Sequence, residues 1–508
     1  MIEPILTMAL ARKIAQNTAI QVGGKLIGTV LSLIAAGFVL RYLGDTGFGR
    51  YTTIVAFLQI FGILVDFGLY IILIKKLATL DETKTNVASN IFTLRVISGI
   101  VVLGIAPLTA WIIGMYHATY SPEIVQGIAL TTLFFLFISL NQLLSGIFQK
   151  FLRTDWIALA ELIGKSVLLV STLVVIWAGM DLLWIMGTLV VSSGANFLVN
   201  FIASRKYIKL KFYLNWKITK DILREAWPIA LSIFFSLMYF KGDTVILTFY
   251  EPAQVVGWYG APYKILEVLI TFPAMFAGLV LPVITSAWQK KALGDFKQKL
   301  QKSFDALVIV SIPMIAGVMV LAPHIMQVLA GGEFTNSIPI LRILIIATAA
   351  IYVGTLFTYL VVALDKQKVM ILGYAFVALS ALAGYFIFIP RYSILGAAWV
   401  TVYSEIATLL IALCIVMTTS RSRIKFGRLL KVVAASIGMY AALAWTAPFV
   451  SSALGDTLTS LSQSWQSAMM LAIFIPVGAL VYFLILAATR GLTREDIKSL
   501  IQLQSGKP

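Results

Sequence analysis

A succession of long apolar stretches runs through this chain of 508 residues and constrains its fold more than any other feature. A bilayer core about 30 Å thick is crossed by a helix of roughly 20 apolar residues. The sequence predicts an all-α polytopic membrane protein with fourteen transmembrane helices. The predicted spans are residues 16–40, 51–74, 88–113, 124–148, 156–178, 182–203, 226–250, 257–284, 306–329, 338–363, 369–389, 394–418, 432–450 and 465–488.

Composition excludes several functional classes. The chain is 60% hydrophobic and 12% charged, whereas a soluble domain is roughly half apolar and a quarter charged. Its net charge of +17 does not indicate nucleic-acid binding, because no stretch between the apolar runs could hold a basic recognition domain. One cysteine, Cys414, and two histidines, His117 and His324, leave little from which to build a zinc site or a catalytic triad. We expect no enzyme activity, no nucleic acid and no bound cofactor.

The distribution of lysine and arginine predicts the orientation. With the N-terminus in the cytoplasm, thirty cations lie in inside segments and three in outside segments, Arg41, Arg50 and Arg391. Inside loops of membrane proteins are enriched in Lys and Arg. We therefore expect a multi-pass protein of the plasma (inner) membrane with both termini in the cytoplasm.

A long basic segment and a weak repeat predict the domain organisation. Residues 205–225 form a basic cytoplasmic linker, and GFGRY (47–51) and VVGWY (255–259) share Gly-x-Tyr. Internal repeats are common in transporters. We expect two pseudo-symmetric lobes of six helices, at 1–204 and 226–420, followed by two further helices and a cytoplasmic tail at 421–508.

Charges inside predicted spans are functional candidates by default. The cations are Lys25, Arg95, Lys165, Lys241, Lys264 and Arg342, and the acids are Asp66, Glu161, Asp243, Glu267 and Glu405. Pairs three or four residues apart share a helical face, so Glu161 with Lys165, and Lys264 with Glu267, could be structural ion pairs. Arg342 lies close enough to a helix end for its guanidinium to reach the membrane interface. For Arg95, extension to the interface and a functional role inside the membrane both stay open.

The remaining charges have no simple partner on their own helix. Lys241 and Asp243 point about 200° apart on a helix, so each needs another helix or water. Asp66 and Glu405 have no cation one turn away and are candidates for proton or Na⁺ coupling, or for hydrogen bonding to hydroxyl groups. Lys25 stands beside Gly24 in a Gly-xxx-Gly pattern that favours close helix packing.

Prolines predict a bend. The span at 257–284 contains Pro262, Pro273 and Pro282, which indicates a bent or broken helix that lines a cavity or is packed in protein. There is also no Gly-x4-Gly-Lys-Ser/Thr sequence, so we expect no ATP-driven step.

Several segments resemble one family. They are LGDTGFGRY (43–51), VDFGL (65–69), KGDTVIL (241–247), VGWYGAPYKILE (256–267), LPVI (281–284) and IPRYSILGAAWVTVYSE (389–405). In order and spacing they are similar to the polysaccharide-transport, Wzx-like branch of the multidrug/oligosaccharidyl-lipid/polysaccharide exporter superfamily. The span at 369–389 lacks the asparagines that such proteins often carry there, so no role tied to them is assigned.

The resemblance implies two lobes around a central cavity that opens alternately to each side. It also implies a polyprenyl (pyro)phosphate-linked oligosaccharide as substrate, in a setting of membrane lipids and glycan polymerase or ligase machinery. Head-group contacts are then expected from Lys25, Arg95, Lys241 and Lys264. Asp66, Asp243, Glu267 and Glu405 are expected to couple H⁺ or Na⁺ or to hold the cations in place.

Two other functions compete with this hypothesis. A multidrug antiporter of the same fold would need acids for organic cations, whereas the spans hold six cations and five acids. A membrane-embedded glycan ligase or polymerase would need a large outward loop with catalytic polar residues. The longest outward segment predicted here, 451–464, is short.

Overall fold

The structure, a computed structural model, describes the backbone of residues 3–79, 84–117, 119–458 and 462–491 and the side chains of 20–62, 64–77, 86–117, 119–450 and 462–491. Helices dominate this part of the chain, and it contains no strand. In chain order they are α1 (Glu3–Asp66), α2 (Leu69–Thr79), α3 (Lys84–Gly114), α4 (Pro122–Lys150), α5 (Thr154–Trp177), α6 (Leu182–Ser204), α7 (Trp216–Tyr250), α8 (Ala253–Leu269), α9 (Thr271–Gln289), α10 (Leu293–Leu329), α11 (Ser337–Ala363), α12 (Gln367–Ser420), α13 (Gly427–Leu458) and α14 (Gln463–Ala488).

Twelve helical stretches among the described residues are long and apolar enough to cross a membrane. Two of them, Ile20–Leu77 and Gln367–Ser420, have 58 and 54 residues. A straight helix of that length would extend roughly 80–90 Å, far beyond a bilayer core of about 30 Å. Each contains a residue with left-handed φ, Gly44 (65°) and Ser393 (51°). The all-α membrane fold is confirmed, and the division of these two stretches into the four spans that a total of fourteen requires stays a prediction.

The first of two compact units contains the described residues up to Gly260 together with Ala378–Ala397. One apolar cluster in its interior joins α1, α3, α4 and α6, and another joins α2, α3, α4, α6 and α7. Glycines let α1 and α5 approach closely, because a Cβ on Gly24 would lie 2.9 Å from the Cβ of Ala158. This contact is the close packing that the Gly-xxx-Gly pattern predicts.

Still closer packing joins α1 to the start of α8 within the same unit. A Cβ on Gly49 would overlap the carbonyl oxygen of Ala253, and one on Gly257 would overlap the carbonyl oxygen of Asp45. Asp45 also accepts hydrogen bonds from Gln254 Nε2 (2.7 Å) and Trp258 Nε1 (3.0 Å). The two segments that share Gly-x-Tyr in the sequence therefore touch through their glycines.

The second unit contains Ala261–Val377 and the described residues from Ala398 onwards. Its core is one large apolar cluster contributed by α9 to α14. Two polar contacts fasten its helices: Tyr482 donates to the carbonyl of Ile309 (2.9 Å), and the Gln301 amide bonds to both the N–H (2.9 Å) and the carbonyl (3.0 Å) of Lys425.

Two expectations about segments are not decided by this architecture. The lobe boundaries around the linker at 205–225 stay a prediction. In the outward segment predicted at 451–464, the backbone of 459–461 and the side chains of 451–461 lie outside the described residues. In its described backbone, α13 continues to Leu458.

Candidate functional site

The second predicted span is broken at an acidic residue. Helix α1 ends at Asp66 and α2 begins at Leu69, with left-handed φ at Phe67 (42°) and Gly68 (72°) between them. Gly68 also lies close to α7, where a Cβ would stand 3.0 Å from Ile229 Cγ2. The break leaves a carboxylate at the C-terminal end of a helix, where the helix dipole disfavours negative charge. Asp66 therefore requires a compensating cation.

Arg95 of α3 supplies that cation. Its side chain is 0% exposed, and its guanidinium donates from Nη2 to Asp66 Oδ1 and from Nη1 to the carbonyl of Ser139 in α4. A charge buried this deeply is tolerated when it is paired and hydrogen-bonded. Asp66 is thus paired across helices, and Arg95 presents no exposed surface to a head group in this state.

Asp243 of α7 is also fully buried, and its contacts are of a different kind. Its Oδ2 accepts from the hydroxyl of Tyr259 (2.7 Å), and its Oδ1 accepts from the N–H (2.5 Å) and the hydroxyl (3.1 Å) of Thr244. Sequence reasoning did not single out Tyr259 as a site residue, although the Gly-x-Tyr repeat that contains it was a signal.

Lys241 lies two residues before Asp243 and is half-buried. Its Nζ stands 5.1 Å from the centroid of the Phe240 ring, within the range of a cation–π contact. The ring stabilises the ammonium group without neutralising its charge.

Lys25 in α1 is half-buried beside the glycine contact between α1 and α5. Among the side chains that the structure describes, none forms a hydrogen bond or an ion pair with Lys25. At Gly28, one turn later, the nearest side chains are those of Lys165 and Glu161 of α5. Lys25 is consequently a cation within a membrane-spanning helix that no described acid neutralises.

In the second unit, Lys264 and Glu267 of α8 form the predicted ion pair, with Nζ 3.3 Å from Oε2. Both side chains are partly exposed. The pair ends just before the break between α8 and α9 at Ile270, where the Thr271 hydroxyl donates to the carbonyl of Glu267 (3.1 Å). Pro273 has no N–H for the carbonyl four residues earlier, which gives the break a physical cause. The predicted broken helix is confirmed.

Glu405 of α12, also in the second unit, is 7% exposed. The structure therefore pairs Asp66 and Glu267 with cations, and it buries Asp243 and Glu405.

The printed contacts of these residues are ion pairs, hydrogen bonds and a cation–π contact. Within the described residues, no group of three or more His, Cys, Asp or Glu is placed to hold a metal ion. The roles of the eight predicted site residues in binding or coupling stay predictions.

A polytopic helical membrane protein with charges buried in its spans is the class that fold and site define. Residues 14–288 match the family model described as polysaccharide biosynthesis protein, and the chain belongs to that family. This confirms the resemblance to polysaccharide-transport proteins.

Two relatives can be aligned with more than half of the chain. The "Putative O-antigen transporter" of Shigella flexneri is 23% identical over 398 residues, which cover 76% of this chain and 93% of the relative. The "Probable low-salt glycan biosynthesis flippase Agl15" of Haloferax volcanii is 22% identical over 332 residues, covering 63% and 66%.

Solved structures show the same fold. The lipid II flippase MurJ in an inward closed conformation has a TM-score of 0.73 at 17% identity and covers 92% of this chain and 98% of its own. An inward-facing multidrug resistance transporter of the MATE family has a TM-score of 0.63 at 15% identity, covering 80% and 97%. At these identities the likeness concerns the fold alone.

Proposed function

We propose that this protein is a flippase that moves a polyprenyl-(pyro)phosphate-linked oligosaccharide from the cytoplasmic to the outer leaflet by alternating access, for cell-surface polysaccharide synthesis. Lys25 carries the proposal, since it is a cation inside an apolar helix that no described side chain neutralises. A cation at membrane depth is costly unless it pairs or binds, and a phosphate head group compensates it. The family match and the names of both relatives support the same substrate class.

The contacts divide the predicted site residues into two groups. Lys25, Lys241 and Lys264 are partly accessible and suit contact with an anionic head group. Arg95 is better suited to holding Asp66, since it is fully buried. Asp66, Asp243, Glu267 and Glu405 are the candidates for H⁺ or Na⁺ coupling or for holding the cations in place, and Asp66 and Glu267 each contact a cation. The transport step then needs no chemical change of the substrate.

The distribution of Lys and Arg supports a membrane location and an orientation for the protein. An inner-membrane location with both termini in the cytoplasm fits the thirty cations on the predicted inner side. Glycan polymerase or ligase machinery would use the flipped product.

Mass spectrometry of lipids that copurify with the full chain tests the substrate class. A polyprenyl-linked sugar is expected. Its absence, together with cation-dependent dye efflux from proteoliposomes, would favour the multidrug antiporter, which shares the fold.

Flipping of a lipid-linked glycan in proteoliposomes tests the lysines. Losing a charge-assisted contact costs roughly 1.5–3 kcal/mol, so Lys25→Ala, Lys241→Ala and Lys264→Ala should each slow flipping about 10- to 100-fold. Lys290→Ala, which removes an exposed cation between α9 and α10, is the matched control. Full activity in all three variants would exclude the assignment.

A further inference from the structure

The segment between α6 and α7 has an unusual exposed surface. Residues 208–215 are neither helix nor strand, and they connect Ser204 at the end of one membrane-spanning helix to Trp216 at the start of the next. A connection of eleven residues between two spans must stay near the membrane surface. We refer to residues 205–224 as the strap.

Hydrogen bonds to α3 fix the strap in place. The N–H of Lys211 donates to Ser89 Oγ (3.2 Å), and the N–H of Tyr213 donates to Thr93 Oγ1 (2.8 Å). Asn90 of α3 binds the start of α7 through its side-chain amide. It donates to the carbonyl of Asn215 (3.2 Å) and accepts from the Thr219 hydroxyl (3.0 Å). The strap is therefore an ordered part of the first unit.

Asn215 then converts the extended chain into a helix. Its side-chain oxygen accepts from the N–H groups of Lys217 (3.0 Å) and Ile218 (3.3 Å), which is an N-cap for α7. Buried Ile208 and Ile222 anchor the two ends of the strap in the apolar cluster of α2, α3 and α4. Whatever the strap exposes is thus held in a fixed orientation.

Three of the exposed side chains in the strap are large and apolar. Phe212 is 74% exposed, Leu214 52% and Trp216 73%, and they alternate along the chain. Residues two apart in an extended chain lie on the same side. In water, such a row would be an unfavourable apolar patch.

Exposed cations flank this row in the sequence. The strap contains seven Lys and Arg residues, Arg205, Lys206, Lys209, Lys211, Lys217, Lys220 and Arg224, against one acid, Asp221. All seven are exposed. Arg205 and Lys206 also stand over aromatic rings of Phe201 (4.9 Å) and Trp156 (5.9 Å), which keeps them beside the ends of membrane-spanning helices.

We propose that the strap is a binding surface for anionic phospholipids of the adjacent leaflet. Phe, Leu and Trp side chains insert at the boundary between head groups and acyl chains, while Lys and Arg attract anionic head groups, each by about 1 kcal/mol near the surface. The apolar row distinguishes this occupant from a sugar or a free phosphate, since neither would cover phenylalanine and leucine. The proposal does not depend on which substrate is flipped.

Depth-dependent fluorescence quenching tests the proposal. Cys414 is the single cysteine, so Cys414→Ser followed by Leu214→Cys gives one labelling position on the strap of the full chain. The probe is an environment-sensitive fluorophore, and the quencher is a doxyl-labelled lipid in nanodiscs. We expect quenching roughly threefold stronger with phosphatidylglycerol than with phosphatidylcholine alone.

Three quadruple variants separate the effect of the strap from a general effect of charge. K209Q/K211Q/K217Q/K220Q should remove the dependence on phosphatidylglycerol, and the corresponding Lys→Arg variant should keep it. K290Q/K291Q/K297Q/K302Q, with the same loss of charge between α9 and α10 and in the first turns of α10, should leave quenching unchanged. Thermal unfolding of each variant shows whether it is folded.

Three results would overturn the proposal. Quenching that is equal in both lipids would show that charge does not hold the strap. An equal loss in the K290Q/K291Q/K297Q/K302Q variant would show a general charge effect. Quenching that arises only after addition of a lipid-linked glycan would assign the surface to the substrate.

Discussion

Arg95 and Asp66 form a charge pair in which the Arg95 side chain is 0% exposed, so their replacement tests the first unit at the scale of single residues. Arg95→Gln leaves a carboxylate at a helix end without its cation, and Asp66→Asn leaves a buried guanidinium without its anion. Each single change should destabilise the protein by about 3–5 kcal/mol. The double variant should be destabilised by clearly less than the sum, because it leaves no unpaired charge.

Chemical denaturation of the purified protein, followed by tryptophan fluorescence, measures this cycle. Lys264→Gln is the control, since it breaks a partly exposed pair whose loss should cost about 1 kcal/mol or less. Additive effects at Asp66 and Arg95 would show that the two side chains do not stabilise each other.

These two pairs also show what could be predicted at the residue scale. Lys264 and Glu267 are three residues apart, so helical geometry alone predicted their contact. Asp66 and Arg95 are 29 residues apart and on different helices. Their contact depends on the relative register of α1 and α3, and periodicity along one helix carries no information about it. The same holds for the contact between Asp243 and Tyr259.

At the scale of elements, the close approach of α1 and α8 depends on glycine. Gly257→Ala would drive a methyl group into the carbonyl oxygen of Asp45, which is backbone and cannot rotate away. Overpacking costs typically about 1–3 kcal/mol. We expect a clearly lower midpoint of unfolding and slower transport for this variant.

Gly187→Ala in α6 is the matched control, since nothing lies within 4 Å of the position of its Cβ. There alanine should be neutral or stabilising by up to about 1 kcal/mol, because it lowers the entropy cost of the helix. Equal effects at the two glycines would show that the contact between α1 and α8 does not limit stability.

Helix breaks were predictable only where their cause is local. Pro273 removes an N–H and interrupts the helix, so its presence in the sequence predicted the break at Ile270. At Phe67 and Gly68 there is no proline, and a glycine in a membrane helix is common. That break is stabilised by Arg95 and by close packing on α7, which are tertiary contacts.

At the scale of the whole molecule, hydropathy predicted the membrane fold well because every backbone group in lipid must be bonded within its own helix. It also predicted span boundaries at both kinks: the non-helical backbone at Gly44 and at Ser393 lies between spans that the sequence predicts as separate. Whether each of these long helices crosses the membrane twice decides between twelve and fourteen spans.

Single cysteines in a Cys414→Ser background measure that count and the orientation together. Thr46 and Arg391 are exposed and lie next to the two kinks, whereas Lys291 is exposed between α9 and α10. If α1 and α12 each cross twice and basic loops face the cytoplasm, Thr46→Cys and Arg391→Cys should react with an impermeant maleimide added to intact cells. Lys291→Cys should react only after the cells are opened.

Protection of Thr46→Cys together with labelling of Arg391→Cys would contradict the double crossing of α1, because the two kinks would then lie on opposite sides of the membrane. Labelling of Lys291→Cys in intact cells would reverse the orientation, and the cations of the strap would then face the outer leaflet.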